Sequence, residues 1–280
     1  MIASREWSRP EPAPDMTDFI DTHAHLDHCD GTPATLVDEA VRVGVTAIIQ
    51  SGTDAQSSEL AVEMAERFPA VYATVGVHPH EAGAVGGGDM SRLAELAAHP
   101  KVVGIGETGL DYYRNRSPQA DQKRVFAAEM ELAQNLALPV IIHTRRADVD
   151  SIPLLREHAA GTTVLLHCFS LPERLEELLS YGFYISFAGN VTFKKALALQ
   201  EAARTVPADR FIIETDAPYL GPEPFRGRPN TPAKVRHTYE FIAALRGVSV
   251  EELAARVWQN TDAVFPKLAA HLKGGGASGS

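Results

Sequence analysis

Residues 19–27 read Phe19-Ile20-Asp21-Thr22-His23-Ala24-His25-Leu26-Asp27, an apolar entry that runs into two histidines one residue apart. In an extended chain side chains alternate with a period of two, so the imidazoles of His23 and His25 project from one face. Two neutral nitrogen donors side by side are half of a transition-metal site. Such a pair is also what an ordinary polar strand end looks like, so its meaning turns on whether other parts of the chain supply more ligands.

The rest of the chain has a regular beat. Short β-branched runs at 19–25, 45–51, 71–77, 102–107, 139–144, 162–167, 183–187 and 211–216 alternate with segments of helical spacing at 35–43, 57–68, 90–98, 119–137, 147–158, 173–180, 195–205 and 232–246. Eight strands, each followed by a helix, predict an α/β protein folded as a parallel (β/α)8 TIM barrel. An open doubly wound sheet would run from its first strand into a glycine-rich dinucleotide turn, whereas this strand ends in histidines. A last helix at 250–259, resumed at 261–265, is expected outside the barrel. Residues 1–16 read as a disordered leader, with Met16 as an alternative start, residues 17–268 as a single barrel domain, and 269–280, ending in GGGASGS, as a flexible tail.

The strands share an anomaly where they end. The first supplies His23 and His25, the fourth Gly106-Glu107, the fifth His143, the sixth His167 and the eighth Glu214-Thr215-Asp216. In a (β/α)8 barrel the carboxyl ends of all strands meet on one rim. Any one of these residues alone reads as a core histidine or a turn carboxylate. Together they predict a metal centre, because ionisable groups closing apolar strands are costly to bury unless paired or metal-bound. Four histidines and two carboxylates exceed what one tetrahedral ion needs, so a dinuclear site is expected, with two divalent metal ions drawn from Mg, Mn or Zn. Glu107, midway in strand order, is the candidate bridge.

The 280-residue chain carries a formal net charge of −10, which argues against a broad basic surface for gripping nucleic acid. Its cations instead follow strands: Arg114 and Arg116, Arg145 and Arg146, Lys194 and Lys195, Arg226 and Arg228, with Tyr112, Tyr113, Phe169, Phe193, Tyr219 and Phe225 among them. A local basic and aromatic mouth can hold a single strand, each stacked base contributing roughly 1–3 kcal/mol. No run reaches the roughly 18–20 apolar residues of a membrane span, and residues 1–14 lack a signal-peptide core. The two cysteines, Cys29 and Cys168, fit a reducing compartment, so a cytoplasmic protein without membrane or obligate protein partner is expected. Cys168 is expected to face away from His167 as a buried thiol, and His28 and His80 to be structural groups or to support ligands from behind.

The motifs DTHAHLD (Asp21–Asp27), GVHPH (Gly76–His80), GETGLD (Gly106–Asp111), IHTR (Ile142–Arg145), HCFS (His167–Ser170), ETDAPYL (Glu214–Leu220) and Asn260 in QNTDAVF resemble, in this order, those of the TatD family of metal-dependent deoxyribonucleases. That family lies within the amidohydrolase-like barrels, and the likeness spans about residues 19–265. The resemblance implies that His23, His25 and Asp216 hold one ion, His143 and His167 the second, and that Glu107 touches both. It also implies attack by a metal-activated water, with Asp216 and Glu107 as catalytic groups, Asp216 orienting or deprotonating the water. His78 and Arg145 would lie beside the scissile phosphate, and Tyr219 is a further candidate substrate contact. Relatives with a carboxylated lysine bridge carry it on the fourth strand; here that strand carries Glu107, which favours the nuclease branch. The expected activity is a 3′→5′ exonuclease on single-stranded or damaged DNA, with DNA ends as the partner. In Arg228-Pro229-Asn230-Thr231-Pro232, Thr231 stands where family members often carry a glutamate. The alternative is an ester or amide hydrolase with the same metals, such as a lactonase or a D-aminoacyl-tRNA deacylase. A small-molecule hydrolase would have no need of a basic, aromatic rim.

Overall fold

The computed structural model describes residues 17–274, so the leader expected at 1–16 lies outside the described residues. Strands β1 (Phe19–Ala24), β2 (Val45–Ser51), β3 (Val71–Val75), β4 (Val102–Asp111), β5 (Val140–Arg145), β6 (Val164–Leu166), β7 (Tyr184–Phe187) and β8 (Phe211–Ile213) alternate with helices. These are α1 (Pro33–Arg42), α2 (Ala55–Arg67), α3 (Asp89–Ala97), α4 (Gln119–Leu136), α5 (Asp148–His158), α6 (Leu175–Ser180), α7 (Leu197–Thr205) and α8 (Val235–Arg246). The strands form one eight-stranded parallel sheet in chain order. Its ends meet where the Asp216 N–H donates to the His23 carbonyl at 3.0 Å and the His25 N–H to the Ala217 carbonyl at 2.7 Å. The expected (β/α)8 TIM barrel is therefore the architecture observed.

Local chemistry explains where the elements begin and end. Thr32 caps α1 ahead of Pro33, whose missing N–H costs nothing in a first helical turn. Asp54 and Ser57 form a reciprocal capping box at the start of α2. At the far end of α2, the Lys101 ammonium donates to the carbonyls of Ala65, Phe68, Pro69 and Val71. Gly247 closes α8 in the left-handed conformation, φ 68°. Buried Tyr239 on α8 donates its hydroxyl to the Ile20 carbonyl at 3.1 Å, pinning the outer layer to β1.

Several boundaries differ from the sequence expectation. β4 continues to Asp111 instead of stopping at Glu107, and β8 stops at Ile213, leaving Asp216 in the loop beyond it. Residues 250–264 form one unbroken helix, α9 (Val250–Val264), because Asn260 turns its amide to the Ala208 and Phe211 carbonyls without interrupting the helix. The boundary expected at 268 falls inside α10 (Pro266–Gly274), where Leu268 and Ala269 are buried; apolar contact carries the folded unit further than composition implied. No helix among the described residues is long and apolar enough to cross a membrane.

Two irregularities aim the rim. Against β2, Asp21 pairs with Ile48 and Ala24 with Gln50, so three steps of β1 match two of its neighbour. Against β5, Ile105 pairs with Val140 and Thr108 with Ile142, the same mismatch at Gly106-Glu107. A bulge of this kind turns a side chain out of the regular alternation. Gly106 permits it: at φ 135° a side chain would be strained and would meet the Ile141 carbonyl at 2.6 Å.

Glu129 on α4 braces the same region, accepting the Val77 N–H at 2.7 Å and the Thr108 hydroxyl. Burial pushes its carboxyl from 4.5 up to about 8, against the two hydrogen bonds that lower it. The folded chain thus holds this proton where the unfolded chain has released it, so folding stability falls as pH rises from about 4.5 through 8. In Glu129→Gln this component is absent. Urea midpoints between pH 6 and 9 should therefore decline less in the variant than in the parent; parallel declines would refute the assignment.

Candidate metal centre

Glu107 sits at the bulge of β4, only 3% exposed. Its two oxygens face different partners. Oε2 lies 3.2 Å from His23 Nε2 and 3.4 Å from His25 Nε2, while Oε1 lies 2.7 Å from His143 Nδ1 and 2.9 Å from His167 Nε2. Asp216 brings Oδ1 to 3.8 Å from His25 Nε2. All six expected ligands converge, and His23, His25 and Asp216 form one group with ligand atoms mutually within 4.8 Å, as do His23, Glu107 and His167.

The hydrogen bonds behind the rings test whether this cluster fits cations. His25 Nδ1 lies 3.2 Å from the Ser51 carbonyl, which can only accept, so Nδ1 bears the hydrogen and Nε2 a lone pair when the ring is neutral. His167 Nδ1 faces Glu214 Oε1 at 3.1 Å, with the same result. His23 Nε2 and His25 Nε2 are 3.2 Å apart, both beside a carboxylate oxygen. Lone pairs gathered in this way repel unless a positive charge lies among them, and imidazole nitrogen with carboxylate oxygen is the donor set of divalent transition metals. The residues fit the ions.

The titration behaviour of the cluster follows from the same crowding. Burial, aided by repulsion from His167, pushes His23 down to about 4 and keeps it a neutral donor. Burial also works to lower His167, but Glu107 and Glu214 outweigh it and hold the ring well above its ordinary value. For Glu107 burial favours the neutral acid, yet His167 and His78 hold the carboxyl well below the usual range. Burial pushes Asp216 up to about 7, with Glu107 and Glu214 adding to the rise and His167 and His25 opposing it. Metal binding to such a site releases the protons that take the cations' place.

His78 plays a different part from the ligands. Its Nδ1 accepts the His80 N–H at 3.1 Å, so the hydrogen of the neutral ring is on Nε2, which lies 3.5 Å from Glu107 Oε1. Burial pushes this imidazole well below its ordinary value. His78 therefore offers a hydrogen-bond donor to the cavity. His25, Asp27 and His28 also approach one another. Both nitrogens of His25 are already committed, to Ser51 and to the cluster, which leaves that group short of a ligand.

These groups line a cavity of about 570 Å³ with Arg145, Tyr219 and Cys168 on its walls. Cys168 was expected on the opposite face; β6 ends at Leu166 and Cys168 is left-handed, φ 44°, so the alternation stops before it. Its thiol is half-buried, and burial with the nearby Asp216 and Glu214 pushes it well up. Phe169 leaves the rim for the core, 2% exposed with its ring 6.1 Å from Phe187, whereas Tyr113 and Tyr219 stay exposed. His80 lies behind the cluster, its Nε2 2.9 Å from Asp111 Oδ2. Thr231 precedes a short turn at Pro232–Lys234 without capping it, while Asn230 donates to the Thr215 and Tyr219 carbonyls and holds the Asp216 loop.

Sequence reasoning assigned no role to Ser51, Asp111, Asn190 or Glu214. Asp111 Oδ2 lies 3.4 Å from His143 Nε2, and its Oδ1 accepts the N–H groups of Tyr113 and Arg114 at 2.9 and 2.7 Å. Asn190 brings to the cavity wall a buried Oδ1 that has no hydrogen-bond partner among the described residues. The polar ending of an apolar strand, the signal that exposed the histidines, applies equally to Ser51 at the end of β2. Since Glu214 orients His167 from behind, Glu214→Gln should weaken metal binding by about 10- to 100-fold while the metal-free protein stays folded. Competition with a chromogenic chelator measures this, and unchanged affinity would remove Glu214 from the site.

The family model described as TatD related DNase matches residues 20–266. The uncharacterized metal-dependent hydrolase YabD of Bacillus subtilis is 39% identical, over 88% of this chain and 98% of its own length. The 3′-5′ ssDNA/RNA exonuclease TatD of Pantoea vagans is 38% identical, over 82% and 92%. Among solved structures, the TatD homologue YJJV of Escherichia coli K12 superposes with a TM-score of 0.83 at 28% identity, covering 89% of this chain and 98% of that one. The chain belongs to the TatD-related DNase family of metal-dependent hydrolases.

Proposed function

We propose that this hydrolase is a 3′→5′ exonuclease that cleaves phosphodiester bonds at the ends of single-stranded or damaged DNA in the cytoplasm. One observation carries the reading: a cluster fitted to divalent cations opens into a mouth with arginines that have no carboxylate partner. Arg114, Arg116 and Arg145 line the cavity, and among the described residues none is ion-paired, whereas Arg92, Arg124, Arg204 and Arg236 on outer helices all are. A polyanion fits that mouth better than the neutral ester or amide of a lactonase. An exonuclease named for both ssDNA and RNA among the relatives supports the strand chemistry and the polarity.

His23, His25 and Asp216 would hold one divalent ion and His143 and His167 a second, each Mg, Mn or Zn, with Glu107 available to both. When bound, such ions supply Lewis acidity toward phosphoryl oxygens and lower the pKa of water. Asp216, whose Oδ1 reaches the cluster beside His25, would orient the attacking water or accept its proton. His78 donates its Nε2 hydrogen to a phosphoryl oxygen, and Arg145 meets the phosphate with a guanidinium fork. Tyr219, 51% exposed and edge-on to His25 at 6.2 Å, offers a surface for a terminal base.

His143→Ala and Glu107→Ala should each reduce nucleotide release from end-labelled oligonucleotides to the level of chelated protein, while circular dichroism shows an intact fold. Release should be progressive from the 3′ end. If the parent protein loaded with Mg²⁺, Mn²⁺ or Zn²⁺ released no nucleotide from any oligonucleotide, the nuclease reading would fall.

A further inference from the structure

On the β4–β5 side of the mouth three guanidinium groups gather about one exposed ring. Cζ of Arg145 lies 4.2 Å from the centroid of Tyr113, that of Arg146 4.8 Å and that of Arg114 5.6 Å. Three like charges at such spacing repel, and a cation over an exposed ring gains only about 0.5–1 kcal/mol. Asp148 and Asp150, which follow Arg146 closely in sequence, are engaged elsewhere, Asp148 with Arg174 at 3.3 Å and Asp150 with Lys123 at 2.7 Å. Among the described residues none of the three guanidiniums has a carboxylate partner.

The backbone holds this cluster in place. Asp111 Oδ1 accepts the N–H groups of Tyr113 and Arg114, and the Tyr112 N–H donates to the Arg145 carbonyl at 3.0 Å, tying the two loops together. Arg146 is left-handed, φ 52°, a conformation that costs a non-glycine residue about 1–2 kcal/mol. A side chain kept at such a position points to a use for the guanidinium that it carries. Arg114 and Arg145 also line the metal cavity, so the cluster continues the site outward.

The geometry points to a phosphate-binding station at Tyr113, where Arg114 and Arg146 grip a phosphodiester of single-stranded DNA beyond the scissile one. The ring spaces the guanidiniums, and the bound phosphate supplies the counter-charge that the protein lacks there. This assignment rests on the nuclease reading and adds that the enzyme holds a chain in preference to an isolated terminal nucleotide.

The test uses metal-loaded protein and a fluorescent phosphorothioate oligothymidylate of about ten nucleotides, which resists cleavage. Anisotropy gives the dissociation constant across about 50–200 mM salt. For the Arg114→Gln/Arg146→Gln double variant we expect roughly tenfold weaker binding and a salt slope shallower by about 0.7 for each phosphate that is no longer neutralised. Arg124→Gln/Arg204→Gln removes equal charge from outer helices and serves as the control. Affinity and slope equal to the control's would overturn the station while leaving the nuclease reading in place. A parent protein that hydrolyses bis-p-nitrophenyl phosphate but neither binds nor degrades the oligonucleotide would overturn both.

Discussion

One buried carboxylate organises the centre of this molecule. Glu107 is 3% exposed, and an ion so placed carries a desolvation cost of several kcal/mol unless charge and hydrogen bonds surround it. Five imidazoles do so, those of His23 and His25 at Oε2 and those of His143, His167 and His78 at Oε1. Putting Glu107 there requires the bulge in β4, the bulge requires Gly106, and Glu129 braces the adjoining ends of β3 and β4 from beneath. The same candidate ligands also close the barrel, since backbone bonds that join the two ends of the sheet belong to His23, His25, Asp216 and Ala217. Closure of the sheet therefore brings these side chains together, and cations that bound only the closed form would stabilise the fold by linkage.

Charge is divided between body and mouth. The chain's net charge of −10 resides largely on outer helices, where Arg92, Arg124, Arg204 and Arg236 are locally neutralised by glutamates and aspartates. At the rim the arginines stack on aromatic rings instead: Arg145 on Tyr113, and Arg226 on Phe193 at 4.3 Å. An acidic surface disfavours adsorption of anions along the outer helices, while a focused positive entrance attracts negative charge to the cavity.

The barrel and the clustering of the six candidate ligands were legible in the sequence because both rest on period and position. Alternating strands and helices announce the fold, and polar groups ending apolar strands announce the rim. What stayed hidden depends on departures from regular geometry. Cys168 lines the cavity because a left-handed residue follows a strand only three residues long, and nothing in HCFS encodes that turn. Phe169 moves into the core for the same reason. Asp111 escaped notice because β4 was expected to stop at Glu107, and the bulge that lets it continue shows only in the pairing with β5. Glu214 stood beside a ligand in the sequence and was overshadowed by it, although its place behind His167 determines which nitrogen of that ring faces the centre.

The extra length of β4 has a mechanical consequence. Within Gly106–Asp111 the strand presents Glu107 to the imidazoles, fastens Thr108 to Glu129, and ends in a carboxylate with one oxygen near His80 and His143 and the other holding the Tyr113-Arg114 turn. At Gly109, φ 138°, β5 approaches so closely that a side chain would collide with the His143 carbonyl, which locks the two strands in register. The spacing between the catalytic cluster and the outer arginines is thus set by six residues of a paired strand. Rigid secondary structure positions groups more closely than a loop can. The guanidiniums at the mouth are therefore held at a fixed offset from the Glu107 cluster.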